Sequence, residues 1–230
     1  VTVDDVVSTV TGGSTDCLID VVIAMDWSGS TGAPNYNPVT GVMGNTNRST
    51  AQLRWLDVFL QDSAIQSELT SGNMQIGFTG WAGGSTPWDP MSNTKSRIDI
   101  INWYLNNWAG GGTNAQQAIF GYANSPTTGS GALALLNNKA GSQLGDRSAQ
   151  PFFKQIIILV TDTTSNPGNI GCPYQGTGVS PSATGPANQR VYALFCGQNS
   201  AVPSNPSVLA NISCTPGPVN VDGYQFGINA

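Results

Sequence analysis

At 230 residues the chain is long enough to bury a full hydrophobic core, and 39 % of it is hydrophobic. Charged residues make up only 9 %, against roughly 25 % in an average soluble domain, and with 28 Gly and 14 Pro this composition argues against a cytosolic enzyme and suits a secreted or surface-exposed protein. The net charge is −5 and the eight Lys and Arg are scattered, which excludes a phosphate-tracking nucleic-acid surface and a polybasic membrane patch.

Residues 1–16 read as an N-terminal extension and 17–230 as one domain, without an internal repeat or dividing linker. The chain lacks a starting Met and a signal-peptide pattern, so we expect a mature or excised piece. No apolar run approaches the roughly 20 residues of a membrane span. Residues 18–25 (LIDVVIAM) form a continuous β-branched run of strand length, the pattern of a strand buried on both faces. Residues 51–69 read as a helix with Leu53, Leu56, Phe59 and Leu60 inward and Ser49 or Thr50 as N-cap. Residues 75–81 (QIGFTGW) are the next strand, and 96–108 a helix with Ile98, Ile101, Leu105 and Trp108 inward. A shorter helix is expected over 113–122, with Ala115, Ala118, Ile119 and Tyr122 inward. Residues 155–161 (QIIILVT), 191–196 (VYALFC) and 219–226 complete the strands, and a last helix falls at 204–212.

Strands alternating with helices predict an α/β fold of three layers, Rossmann-like, with a mainly parallel central sheet and helices on both faces. Ligands of such sheets bind outside the carboxyl ends of the strands. Three long stretches, 31–48, 82–95 and 163–189, read as loops on that same edge.

The polar motifs also sit at strand ends. Asp26, Ser28 and Ser30 follow the first strand in the pattern Asp-x-Ser-x-Ser, which by itself also suits an ordinary turn. Gly110-Gly111-Gly112-Thr113-Asn114 opens a helix, and Thr161-Asp162 closes a buried strand. In order, spacing and placement these three motifs resemble the metal-ion-dependent adhesion site of the von Willebrand factor type A family. The resemblance extends over residues 17–226. It implies the integrin I-like fold and a metal site in which Asp26, Ser28 and Ser30 supply the first loop, Thr113 the second and Asp162 the third.

The chemistry of that set agrees. Two carboxylates and three hydroxyls make a hard-oxygen site, suited to Mg²⁺, or to Ca²⁺ or Mn²⁺, rather than to zinc or copper. Neutral hydroxyls leave the ion electrophilic, and in the resembled family its remaining ligand is an acidic residue of a binding partner. Some features depart from the family. Thr163 stands where the third motif usually has Gly, and the loop over 31–48 is longer than the norm. The family's final helix has no counterpart at 227–230, so we expect it to be absent or replaced in part by residues 1–16. Trp27 reads as a ring packing over the neighbouring loop, its other reading being an aromatic contact beside the metal.

Four cysteines and this composition favour two disulfides. The strand order places Cys17 and Cys214 at the amino-end face and Cys172 and Cys196 at the metal face, which predicts the pairs Cys17–Cys214 and Cys172–Cys196, with Cys196–Cys214 as the rival pairing. Asn47 and Asn211 lie in Asn-x-Ser glycosylation sequons. Residues 129–134 (GSGALA) loosely match a dinucleotide fingerprint, yet no strand precedes them, and they read as a loop. The chain has no His, no P-loop and no nucleophile elbow, so the sequence predicts no enzyme.

The expectation is therefore an extracellular or cell-surface adhesion module that engages an acidic residue of a protein or other macromolecule through a divalent cation. The alternative is a structural subunit of an extracellular matrix or filament, assembling with copies of itself, in which the metal braces the loops.

Overall fold

The computed structural model describes residues 17–82, 88–112, 118, 131–132, 135–136, 143–147, 150, 152–162, 189–196 and 225–226. The apolar run after Leu18 forms the central strand β1 (Ile19–Asp26), and each of its residues is buried. A continuous apolar strand needs cover on both faces, and helical residues packed on the sheet provide it. β1 pairs in parallel with β4 (Met74–Trp81) on one side and β6 (Lys154–Thr161) on the other. β7 (Gln189–Cys196) and β8 (Gln225–Phe226) extend the sheet in parallel beyond β6. With β5 spanning Trp88–Ser92, the strand order is β5-β4-β1-β6-β7-β8. This α/β architecture with its mainly parallel sheet is the one expected.

The edge strand β5 (Trp88–Ser92) is antiparallel to β4, with a register irregularity between Ile76 and Phe78. Its segment was expected to be part of a loop over 82–95. Pro90 within it masks the strand pattern, since proline is confined to edges and bulges of a sheet, and both occur here. The expected loop over 31–48 also holds structure, a small hairpin of β2 (Tyr36–Asn37) and β3 (Val42–Met43).

The predicted helix over 51–69 is two helices, α1 (Arg48–Gln61) and α2 (Ser63–Ser71). Asp62 ends the first and caps the second, accepting hydrogen bonds from the amides of Ala64 at 2.9 Å and Ile65 at 3.2 Å. Asn47, rather than Ser49 or Thr50, is the N-cap of α1. The other two hydroxyls are used to fasten the preceding loop: Ser49 donates to the Gly32 carbonyl, and Thr50 accepts the Asn35 amide at 2.8 Å. In α3 (Arg97–Asn107) Ile100, Ile101 and Tyr104 are buried, the expected Leu105 and, just past the helix, Trp108 pack partly buried against the core, and Ile98 is exposed. Burial of Ile100, Ile101 and Tyr104 in the core sets this rotation, and Arg97 lies on the same face. Its guanidinium pairs with Asp57 of α1, and positions three, four and seven further on share that face.

One face of the sheet packs Val21, Ile23, Met25, Phe78 and Ile158 against Leu53, Leu56 and Leu60 of α1 and Ile101 and Tyr104 of α3. On the other face Val22, Ala24, Ile157 and Leu159 are equally buried. Here Ala132, Leu135 and Leu136 are helical and buried, and Gln155 of β6 donates to the Leu136 carbonyl at 3.1 Å. Residues 129–134 were expected to be a loop; the Ala- and Leu-rich run from 132 has strong helix propensity, and at Ala132 that propensity prevails. Ala118, an expected inward residue, is helical and fully buried. The rest of the predicted helix over 113–122, and the helix over 204–212, lie outside the described residues.

A buried polar network ties the amino ends of the strands together. Arg147 pairs with Asp20 of β1 at 2.5 Å and donates to the carbonyls of Ile19 at 2.8 Å and Gly72 at 2.7 Å. Gln75 of β4 donates to the same carboxylate at 2.9 Å.

Candidate metal centre

Parallel pairing of β1 and β6 brings the ends of both strands to one edge of the sheet. Asp26, the last residue of β1, therefore stands beside Thr161 and Asp162 at the end of β6. Thr161 donates its hydroxyl to Asp26 Oδ2 at 2.9 Å, and the Asp162 amide donates to the same oxygen at 3.4 Å. The other oxygen, Oδ1, accepts the Ser28 amide at 2.9 Å. Asp26 is fully buried, and three donors hold its orientation.

After Asp26 the chain turns into a short 3₁₀ helix, Gly29–Thr31. Thr31 closes it by donating its hydroxyl to the Ser28 carbonyl at 2.8 Å. The turn aligns Ser28 and Ser30, whose hydroxyl oxygens are 2.9 Å apart. Ser30 donates to Asp162 Oδ1 at 3.1 Å. Asp26, Ser28, Ser30 and Asp162 thus form one cluster. Asp26, Ser28 and Asp162 are buried and Ser30 is exposed, so the cluster opens to solvent on the Ser30 side.

Thr113 lies outside the described residues, but the glycine run leading to it reaches the cluster. The Gly29 amide donates to the Gly111 carbonyl at 2.7 Å. A Cβ on Gly29 would meet that oxygen at 3.3 Å, so glycine permits the close approach. Gly110 and Gly111 have φ of +65° and +115°, which favours glycine at both.

Burial, together with the facing charge of Asp162, pushes the Asp26 carboxyl up to about 7, with the hydrogen bonds from Ser28 and Thr161 pulling the other way. Two carboxylates with hydroxyls between them are a donor set that fits a hard divalent cation, whose charge would reverse that electrostatic conflict. Among the described residues no group of three or more His, Cys, Asp or Glu gathers elsewhere or here, so hydroxyls are an essential part of this set.

Two participants carried no sequence signal. Thr161 stands in the sequence only as the residue before Asp162. Arg48, the first residue of α1, forms an ion pair with Asp162 Oδ2 at 2.6 Å. It stood in the sequence only as the middle of the sequon at Asn47. Asn47 itself donates its side-chain amide to the Ala33 carbonyl at 2.8 Å, and Asn211 lies outside the described residues.

Trp27 is buried as a packing element. Its ring meets Tyr104 edge-on with centroids 5.2 Å apart and lies 5.5 Å from that of Trp103. Cys17 lies just before β1, at the amino-end side, with its thiol donating to the Phe152 carbonyl at 3.4 Å. Cys172, Cys214 and the side chain of Cys196 lie outside the described residues.

No protein-family model matches the chain, and no curated protein matches it. Solved structures do. Proximal thread matrix protein 1 from the mussel byssus is 17 % identical, with a TM-score of 0.50 over 94 % of this chain and 44 % of that one. The von Willebrand A domain of SpRpn10 is 9 % identical, with a TM-score of 0.41 over 80 % of this chain and 78 % of that one. The PilB minor pilin from Streptococcus sanguinis is 18 % identical, with a TM-score of 0.37 over 65 % of this chain and 31 % of that one. The likeness to the byssal protein is one of fold, and it agrees with the α/β architecture described above. The chain spans less than half of the byssal protein and less than a third of the pilin.

Proposed function

We propose that this domain is an extracellular binding module that grips an acidic group of another macromolecule through a divalent cation, most suitably Mg²⁺. The observation that carries this reading is the convergence of Asp26, Ser28, Ser30 and Asp162 at the carboxyl edge of the sheet, open to solvent at Ser30. Those four residues would hold the ion, with Thr113 joining them by its position after the glycine run. The ion supplies a Lewis-acid position for one further oxygen ligand. The chain's own part is to fix the donors: backbone amides and Thr161 orient Asp26, and the 3₁₀ turn sets the two serines. The low charge and four cysteines support the extracellular setting.

Calorimetric titration of Mg²⁺ into EDTA-treated protein tests this reading. We expect saturable binding with one ion per chain, and a thermal midpoint that rises with metal concentration because only the native state binds. Asp26→Ala should abolish both. Equal responses from the two proteins would reject the metal reading.

A second reading, a structural subunit of a matrix or filament, draws support from the Arg48–Asp162 ion pair. There the protein supplies its own cation to brace the loops. Assembly that persists in EDTA would favour this reading over adhesion.

A further inference from the structure

The two carboxylates of the cluster are held differently. Asp26 is held by groups at the ends of the strands: the Ser28 amide on one oxygen, the Thr161 hydroxyl and Asp162 amide on the other. Among the described residues, Asp162 is held by side chains. Its Oδ1 accepts Ser30 at 3.1 Å and its Oδ2 takes the Arg48 guanidinium at 2.6 Å. The Asp162 side chain is wholly buried, whereas that of Arg48 remains 32 % exposed and can swing outward. Arg48 also sits where the hairpin segment ends and α1 begins, next to the cap residue Asn47.

We propose that Arg48 is an internal competitor for the cation: it neutralises Asp162 in the metal-free protein and must leave that carboxylate when a divalent ion binds. This inference rests on the metal reading above. The argument is electrostatic. A guanidinium and a divalent cation cannot share one carboxylate in a buried setting without strong mutual repulsion, because Coulomb energies grow as the local dielectric falls. That repulsion favours the departure of Arg48, whose side chain is partly exposed and can turn to solvent while the cluster stays in place. Metal affinity is therefore set by the difference between two cations at Asp162. The displaced guanidinium then stands at the rim of the site, a fixed positive charge for an acidic partner. Metal-free protein keeps a satisfied carboxylate and avoids the cost of an unpaired buried charge.

The test compares Arg48→Gln and Arg48→Lys with the unaltered protein by calorimetric Mg²⁺ titration after EDTA treatment, with circular dichroism as the check on folding. Removing the charge-assisted bond should tighten Mg²⁺ binding about tenfold in Arg48→Gln while lowering the metal-free thermal midpoint. Arg48→Lys, which keeps the charge, should stay near the unaltered affinity. A merely structural Arg48 would give weaker metal binding, not tighter. Binding by the unaltered protein with equal or weaker affinity in Arg48→Gln overturns the competitor and leaves the metal reading standing. Binding by neither protein overturns both. Binding by Arg48→Gln alone supports the competitor and rejects a resident metal in the unaltered protein. A second measurement needs no variant: the NMR order parameter of the Arg48 Nε–H group should fall when Mg²⁺ saturates the site, and an unchanged value overturns the displacement.

Discussion

The Trp27 ring lies directly against Gly80, so that a Cβ at position 80 would fall 2.1 Å from Trp27 Cε3. The ring has no room to retreat, because Trp103 and Tyr104 pack beside it. Gly80→Ala should therefore cost about 1–3 kcal/mol through overpacking. The shift should show in the thermal midpoint, together with a changed near-ultraviolet dichroism from the displaced indole. An unchanged midpoint would mean that the ring moves freely, against the close packing described.

Asp26 links stability to pH. Its folded carboxyl titrates near 7, above the ordinary carboxylate range, chiefly through burial and then through Asp162. The folded chain thus holds this proton where the unfolded chain has lost it. The stability it contributes is complete below the ordinary carboxylate range and is lost as pH rises toward and through about 7. In EDTA, Asp26→Asn should gain midpoint relative to the unaltered protein between pH 4 and pH 8, an interval chosen to span roughly that window. Parallel profiles for the two proteins would count against the conflict between the carboxylates.

The Arg147–Asp20 pair is nearly sealed from solvent, with side-chain exposures of 8 % and 0 %. Arg147→Met leaves the carboxylate with Gln75 but without its cation. Breaking a buried pair on one side costs about 3–5 kcal/mol, so urea unfolding should show a clear loss in midpoint. The double variant Arg147→Met with Asp20→Asn should recover part of it. A loss below about 1 kcal/mol would fit an exposed pair instead.

Gln52 is a misfit in α1. It is fully buried, and among the described residues neither polar atom of its amide has a partner. Gln52→Met keeps the length of the side chain and removes the unsatisfied group, which should stabilise the fold by roughly 1 kcal/mol. Thermal unfolding decides the sign, and destabilisation would show that the amide is bonded through bound water.

Much of this was legible beforehand because burial on two faces leaves a strong trace. The runs at 18–25, 75–81, 155–161 and 191–196 are strands to within two residues of their observed ends. The cluster of Asp26, Ser28, Ser30 and Asp162 was legible because its members sit in short motifs at those strand ends. Ile98 was misplaced because several apolar stripes are open to this helix, and packing of Ile100, Ile101 and Tyr104 in the core chooses among them. β5 escaped for its proline, and Arg48 because its partner is 114 residues away. Contacts of that span obey topology, which a local pattern does not encode.

Pro90 closes off one route of polymerisation. β5 is one of two outer strands among the described residues, and an outer strand ordinarily offers a free row of donors and acceptors to a neighbouring chain. At its middle, Pro90 has no N–H to give, and its carbonyl already accepts the Lys95 ammonium at 3.3 Å. The ladder that a newcomer would need is interrupted there. Copies of this domain that associate therefore lack, at β5, an unbroken row of backbone groups through which to knit their sheets into one continuous ribbon.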